Sequence, residues 1–162
     1  MKKKLFIYIL LLLPMFAFQS CLKDQEEIFD KDAALRVQDA MDNADKAFTS
    51  AENGWLLEYY PEENQSYGGC VFTIKFADGK ATVSSDLNPG NSCESLYKMT
   101  NDQGPVLTFD TYNDLMHLFA TPSAGNYEAY HGDFEFVVDS IGDDAIKVHG
   151  KKTGNTFYFR KL

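Results

Sequence analysis

The chain has 162 residues and a formal net charge of −9 at pH 7. Lys2, Lys3 and Lys4 fall in what reads as a removable leader, so the rest carries 12 Lys+Arg (the 15 less those three) against 24 Asp+Glu, a balance of −12. So acidic a chain excludes phosphate-backbone recognition, hence nucleic acid, and electrostatic docking on anionic lipid, because both need Lys and Arg. Three cysteines without a CxxC offer no zinc framework.

After the three lysines, Leu5 to Phe18 is apolar except for Pro14. This run is shorter than the roughly 20 residues that a membrane-spanning helix needs, and it reads as a secretory signal peptide. Phe18-Gln19-Ser20-Cys21 resembles the lipobox of bacterial lipoproteins, in which a small residue precedes a cysteine that is acylated and becomes residue one. Buried acyl chain is worth about 0.8 kcal/mol per CH₂, so lipid on Cys21 would tether the chain to a membrane without a transmembrane helix. The acidic stretch Leu22-Lys23-Asp24-Gln25-Glu26-Glu27 resembles the surface-export signal of lipoproteins in the Bacteroidetes. The expected organisation is a signal peptide over 1–20, an acidic tether over 21–29 and one domain over 30–162. The expected location is the outer membrane or the cell surface.

The pattern turns helical from Asp30 to about Ala51. Val37, Met41, Ala44 and Phe48 form one stripe, and Asn53-Gly54 is a stop signal. Beyond Gly54 the period becomes two. Strands are expected over Trp55–Tyr60, Cys70–Phe76, Lys80–Ser84, Ser95–Thr100, Pro105–Phe109, Asp133–Asp139, Ala145–His149 and Thr156–Leu162. Asp78-Gly79 is a strong hairpin signal. A short helix is expected over Tyr112–Phe119, with Leu115, Leu118 and Phe119 facing the sheet. The fold class is therefore mainly β (α+β): an N-terminal helix, then an antiparallel meander forming a curled sheet or partial barrel, with one short inserted helix. No βαβ alternation is present, which excludes a parallel sheet. Either the domain closes on its last strand or the chain is a piece of something longer.

Chemistry is sparse. There is no G-x-S-x-G, S-x-x-K, P-loop or G-x-G-x-x-G, and His117, His131 and His149 lack metal-ligand spacing. No metal and no cofactor is expected. Asp133 and Glu135 alternate on one strand and read as the solvent face of a half-buried sheet; a hydrolase using such acids is the alternative. Cys70 and Cys93 would be free to pair in an oxidising compartment. Aromatic residues suit strands, but Tyr67, Tyr127 and Tyr130 fall in loops and are the candidates for a ligand platform.

Four blocks together resemble a family of uncharacterised Bacteroidetes lipoproteins classed as a domain of unknown function. They are Glu52 to Pro61, Ser66 to Gly69, Gly104 to Asn113 and Gly132 to Phe136. The resemblance implies a neighbourhood of SusC/SusD-like outer-membrane uptake proteins and assigns no catalytic residue. The combined expectation is a lipid-anchored accessory protein, not an enzyme, that binds a glycan, a peptide or a partner in nutrient uptake. A purely structural subunit of a membrane complex is a further alternative.

Overall fold

The alternation Phe72, Ile74, Phe76 against Val71, Thr73, Lys75 builds a strand with one buried and one exposed face, and the same rule recurs along the chain. The computed structural model describes residues 31–102 and 104–162. The leader, Cys21, the acidic tether and Asp30 lie outside the described residues. Residues 33–162 form one unit. In it a helix α1 (Ala33–Thr49) precedes eight strands: β1 (Trp55–Tyr59), β2 (Cys70–Ala77), β3 (Lys80–Ser85), β4 (Ser92–Asn101), β5 (Pro105–Phe109), β6 (Glu135–Ile141), β7 (Ala145–Gly150) and β8 (Thr156–Lys161).

Each strand pairs antiparallel with its neighbour in sequence, and β1 also pairs with β8 through Leu57↔Phe159, Leu56↔Arg160 and Trp55↔Lys161. The sheet is thus a closed barrel, where a curled sheet or partial barrel was expected. Closure removes the free strand edges that an open meander would expose.

Eight strands leave an interior just wide enough for side chains to fill. Leu57, Phe72, Ile74, Val83, Leu107, Phe136, Ile146, Val148 and Phe159 are all 0 % exposed and fill it. None of the cavities described below is lined by these residues. Aromatic pairs dominate: the Phe136 ring lies edge-on to Phe157 at 5.6 Å and to Phe159 at 5.9 Å. Such pairs contribute about 0.5–1.5 kcal/mol each beyond their area.

The two ends of the barrel differ. At one end, called the base, the connections are the short turns 78–79, 102–104 and 142–144. Helix α1 lies there, with Ala44 and Phe48 buried. The Phe48 ring meets Phe159 at 5.1 Å and Phe76 at 5.2 Å, and so plugs the base. The indole of Trp55 donates to the Phe48 carbonyl at 2.7 Å, satisfying one of the carbonyls that a helix C-terminus leaves open. The Tyr97 hydroxyl donates to Asp45 Oδ1 at 2.8 Å and fixes the helix to β4. Val37, in the expected stripe, stays 36 % exposed because the first half of the helix is the part not buried against the barrel. Gly54 ends this segment at φ +88°, where a Cβ would sit 2.7 Å from the Ile74 carbonyl oxygen. Among the described residues, no helix is long and apolar enough to cross a membrane.

At the opposite end lie the long connections 60–69, 86–91, 110–134 and 151–155. The expected helix over Tyr112–Phe119 does not form; residues 114–120 run through successive turns instead. Asn113 opens these turns. Its Oδ1 accepts from the amides of Leu115 and Met116 at 3.2 and 3.1 Å, as a helix N-cap does, while its Nδ2 donates to the Cys93 carbonyl and to Ser95 Oγ at 3.2 and 3.1 Å. Beyond that start the bonding tightens: the Leu118 and Ala120 amides donate to the carbonyls three residues back, Leu115 and His117, at 3.3 and 3.0 Å, and turns follow in place of an α-helix. Met116 is buried, and Leu118, expected to face the sheet, is 44 % exposed.

Candidate binding surface

The long-loop end is sealed from inside by Tyr59. Its ring stacks on Phe157 at 5.3 Å with 9° between planes, and Phe119 of the 110–134 connection covers it at 5.7 Å. Its hydroxyl donates to the Asp133 carbonyl at 2.9 Å and accepts from the Asp133 amide at 2.6 Å. Burial raises the Tyr59 pKa well above the ordinary phenol value, so the hydroxyl keeps its proton.

Asp133 itself is 2 % exposed, not on the solvent face where alternation placed it, because β6 begins only at Glu135. Its Oδ1 accepts from the amides of Lys152 and Thr153 at 2.7 and 3.2 Å, and its Oδ2 accepts from Thr153 Oγ1. Gly150 lies against this carboxylate so closely that a Cβ would overlap it. Glu135 is held by Lys151 Nζ at 3.3 Å and by Thr108 Oγ1 at 3.4 Å. Both acids named for hydrolysis are thus tied to loop and wall structure. A 100 Å³ pocket lies beside them, lined by Gly132, Asp133, Phe134, Glu135, Lys151 and Lys152.

Asn155 makes a second clamp. Its Nδ2 donates to the carbonyls of Tyr60 at 3.1 Å and Glu62 at 2.6 Å, and the Glu62 amide donates to the His131 carbonyl at 3.2 Å. The loops 60–69, 128–132 and 151–155 are therefore laced together. Among the described residues five non-glycine positions have positive φ, and four of them lie here: Glu62 (63°), Gln65 (57°), Ala129 (57°) and His131 (53°). Such conformations cost of order 1–3 kcal/mol each and gather at functional sites.

Of the three platform tyrosines, the structure brings two together. Tyr67 is 50 % and Tyr130 37 % exposed, and their rings meet edge to face at 5.1 Å. Tyr130 also touches Phe119 at 6.0 Å. Tyr127 is 84 % exposed and has no ring partner among the described residues. Tyr60, missed in the sequence, lies across Gly69, and it stands at the foot of the same loop. The loops that carry Tyr67 and Tyr130 also form a pocket of about 300 Å³, lined by Glu62, Glu63, Asn64, His131, Lys152 and Thr153. No lining residue is apolar.

The other expected residues fall elsewhere. Cys70 and Cys93, which the sequence left free to pair, are free thiols. Cys70 pairs with Tyr59 on β1, whereas Cys93 pairs with Val83, the partner of Ile74. The two cysteines are thus two strands and four residues apart, about 10 Å sideways by strand spacing alone, beyond the about 7 Å Cα limit for a bridge. Burial pushes the Cys70 thiol up to about 12, with Asp86 adding to it. His117 is 9 % exposed, stacks on Phe134 at 4.6 Å, and its Nδ1 accepts from the Asn113 amide at 3.1 Å. Burial lowers its pKa below the ordinary histidine value. On the outer wall a bulge between Val138 and Ser140 turns Asp139 toward His149, whose Nδ1 lies 2.8 Å from Oδ1. His149 of this pair lines a 310 Å³ pocket with Asp102, Val137 and Lys151, and no sequence pattern signals the bulge. A groove of about 480 Å³ separates the start of α1 from the 102–104 turn. Among the described residues, no group of three or more His, Cys, Asp or Glu side chains is placed to hold a metal ion.

No curated protein and no solved structure matches the chain. One family model does, over residues 25–162: a domain of unknown function, DUF4302. That match covers the barrel, its helix and both loop systems, and the chain belongs to the DUF4302 family.

Proposed function

We propose that this protein is a lipid-anchored binding module that presents the long-loop end of its barrel to a ligand or partner at the outer membrane or cell surface, in the service of nutrient uptake. The observation that carries the reading is the segregation of the barrel's two ends. Short turns and α1 occupy the base, while the long loops, the exposed Tyr67–Tyr130 pair and the strained backbone gather at the other end. Binding residues are disproportionately found on loops that a rigid scaffold positions. The filled interior favours a surface site over a ligand held inside the barrel.

Anchorage rests on Cys21 and the leader before it. The described domain begins at Ala33, in the helix that lies on the base. Two arms test the proposal. Cys21→Ala is expected to release the protein from the membrane fraction of expressing cells, and unchanged retention contradicts the anchor. Pull-down of the anchored protein, together with a glycan and peptide binding screen, is expected to yield a ligand or an uptake partner; a protein that retains neither is not a binding module.

A further inference from the structure

Resting on that reading, we infer that the pocket formed by Glu62, Glu63, Asn64, His131, Lys152 and Thr153 takes a single uncharged or amino-bearing sugar residue of a glycan, with the Tyr67–Tyr130 corner stacking on its ring or its neighbour. Three observations converge on this chemistry. Every residue lining the pocket carries a polar group, and together they mix acceptors with donors, carboxylate, amide, imidazole, ammonium and hydroxyl, beside the apolar stems of the same side chains. That mixture matches vicinal hydroxyls, which both donate and accept, and it does not match a lipid or an apolar small molecule. The volume of about 300 Å³ lies at the bottom of the usual range for small-molecule sites, about 300–1,000 Å³. The exposed aromatic corner is joined to it along the chain, through Tyr130–His131 and through the 62–67 loop. Aromatic faces stack on the C–H face of a sugar ring.

The competing classes fit less well. Glu62, Glu63 and Glu128 stand around the pocket, and Glu128 lies 3.9 Å from His131, so an acidic sugar or a phosphate would meet carboxylates. An extended peptide commonly binds by adding a strand to a free edge, and the closed barrel has none. The pocket is also built before any ligand arrives. Asn155 and Asp133 hold its two sides by four backbone hydrogen bonds, to Tyr60, Glu62, Lys152 and Thr153, and Glu62 and His131 are kept at positive φ. Preformed loops spare the ordering cost of binding.

The test is isothermal titration of the protein with maltohexaose, cellohexaose, xylohexaose, mannohexaose, chitohexaose, an oligogalacturonate and a proline-rich peptide. Binding of at least one neutral or amino-sugar oligomer is expected, with none to the oligogalacturonate. Tyr67→Ala and Lys152→Ala, both at exposed positions, are expected to weaken it about tenfold each, equivalent to about 1.4 kcal/mol. Tyr67→Phe should restore binding, and Tyr158→Ala, on the outer wall, should leave it unchanged. Sugar binding that neither Tyr67→Ala nor Lys152→Ala weakens overturns the site. Binding of the peptide but of no sugar overturns the ligand class and leaves the binding-module reading standing. Retention of no probe and no partner overturns both.

Discussion

The hydroxyl of Tyr59 holds both backbone groups of Asp133, donating to its carbonyl at 2.9 Å and accepting from its amide at 2.6 Å. One phenol on the first strand thus pins the end of the 110–134 connection, 74 residues further along. From Asp133 the side chain passes the constraint on to the 151–155 turn. The long-loop end is therefore one mechanical unit hung from Tyr59.

Removing that hydroxyl exposes the dependence. Tyr59→Phe keeps the ring stack on Phe157 but leaves the amide and carbonyl of Asp133 buried without their partner. The expected loss is about 1–3 kcal/mol in urea unfolding. Hydrogen exchange should quicken at the amides of Tyr130, Gly132 and Asp133 while those of β2 and β3 stay protected. Equal loss of protection throughout the barrel would show that the unit is not local.

His117 makes the same connection sensitive to acid. Its folded pKa is lowered by burial, so the neutral ring is the form the fold prefers, and its Nδ1 already accepts a backbone N–H. The sign follows: His117 contributes full stability above the unfolded value of about 6.5, and that contribution falls as pH drops through and below it. Urea midpoints of wild type and His117→Gln at pH 7.5 and 5.0 check this. The wild type should lose more on acidification than the variant; parallel losses would exclude His117.

Phe48 is expected to be the costliest residue of α1. It plugs the base against Phe76 and Phe159, so Phe48→Ala should cost about 3–5 kcal/mol, as other buried phenylalanine truncations do. Val37→Ala, at a 36 % exposed position, should change stability by no more than about 0.5 kcal/mol. A small effect at Phe48 would mean that the helix is not part of the folded unit.

The thiols give a covalent check on the strand order. Cys70 and Cys93 lie on strands that do not adjoin, and the Cys70 thiol is pushed up to about 12 by burial. In oxidising buffer both should remain free by mass, and Cys70 should react with iodoacetamide only after unfolding. A Cys70–Cys93 disulfide in the folded protein would require a different register.

Much of the barrel was readable because its signals are local. The alternation through Phe72, Ile74 and Phe76 and the turn at Asp78-Gly79 specify one hairpin without help from the rest of the chain. Pro105–Phe109 matches its strand at both ends, since proline is tolerated at a strand start. What was not readable is non-local. Pairing of Leu57 with Phe159 closes the barrel across the whole domain, and nothing near either residue announces it. Asp133 obeyed the alternation of the strand that follows it, yet its place is set by Tyr59, Gly150 and Thr153, which lie far away in sequence. The Tyr112–Phe119 stretch had helical spacing, yet it winds as turns whose bonds reach back three residues, and Asn113 at its start is tied to Cys93 and Ser95 on β4. At the binding surface the loop positions of Tyr67 and Tyr130 were evident, whereas their contact depends on two loops meeting, and Tyr127 has the same sequence character without the contact.

The measurement that bears most directly on the account is the backbone-amide chemical-shift footprint of the best-binding oligosaccharide on the folded domain. Shifts are expected over 60–69, 128–132 and 151–155, with the turns 78–79, 102–104 and 142–144 silent. Shifts centred on those base turns or on the interior residues Leu57, Leu107 and Val148 would contradict it.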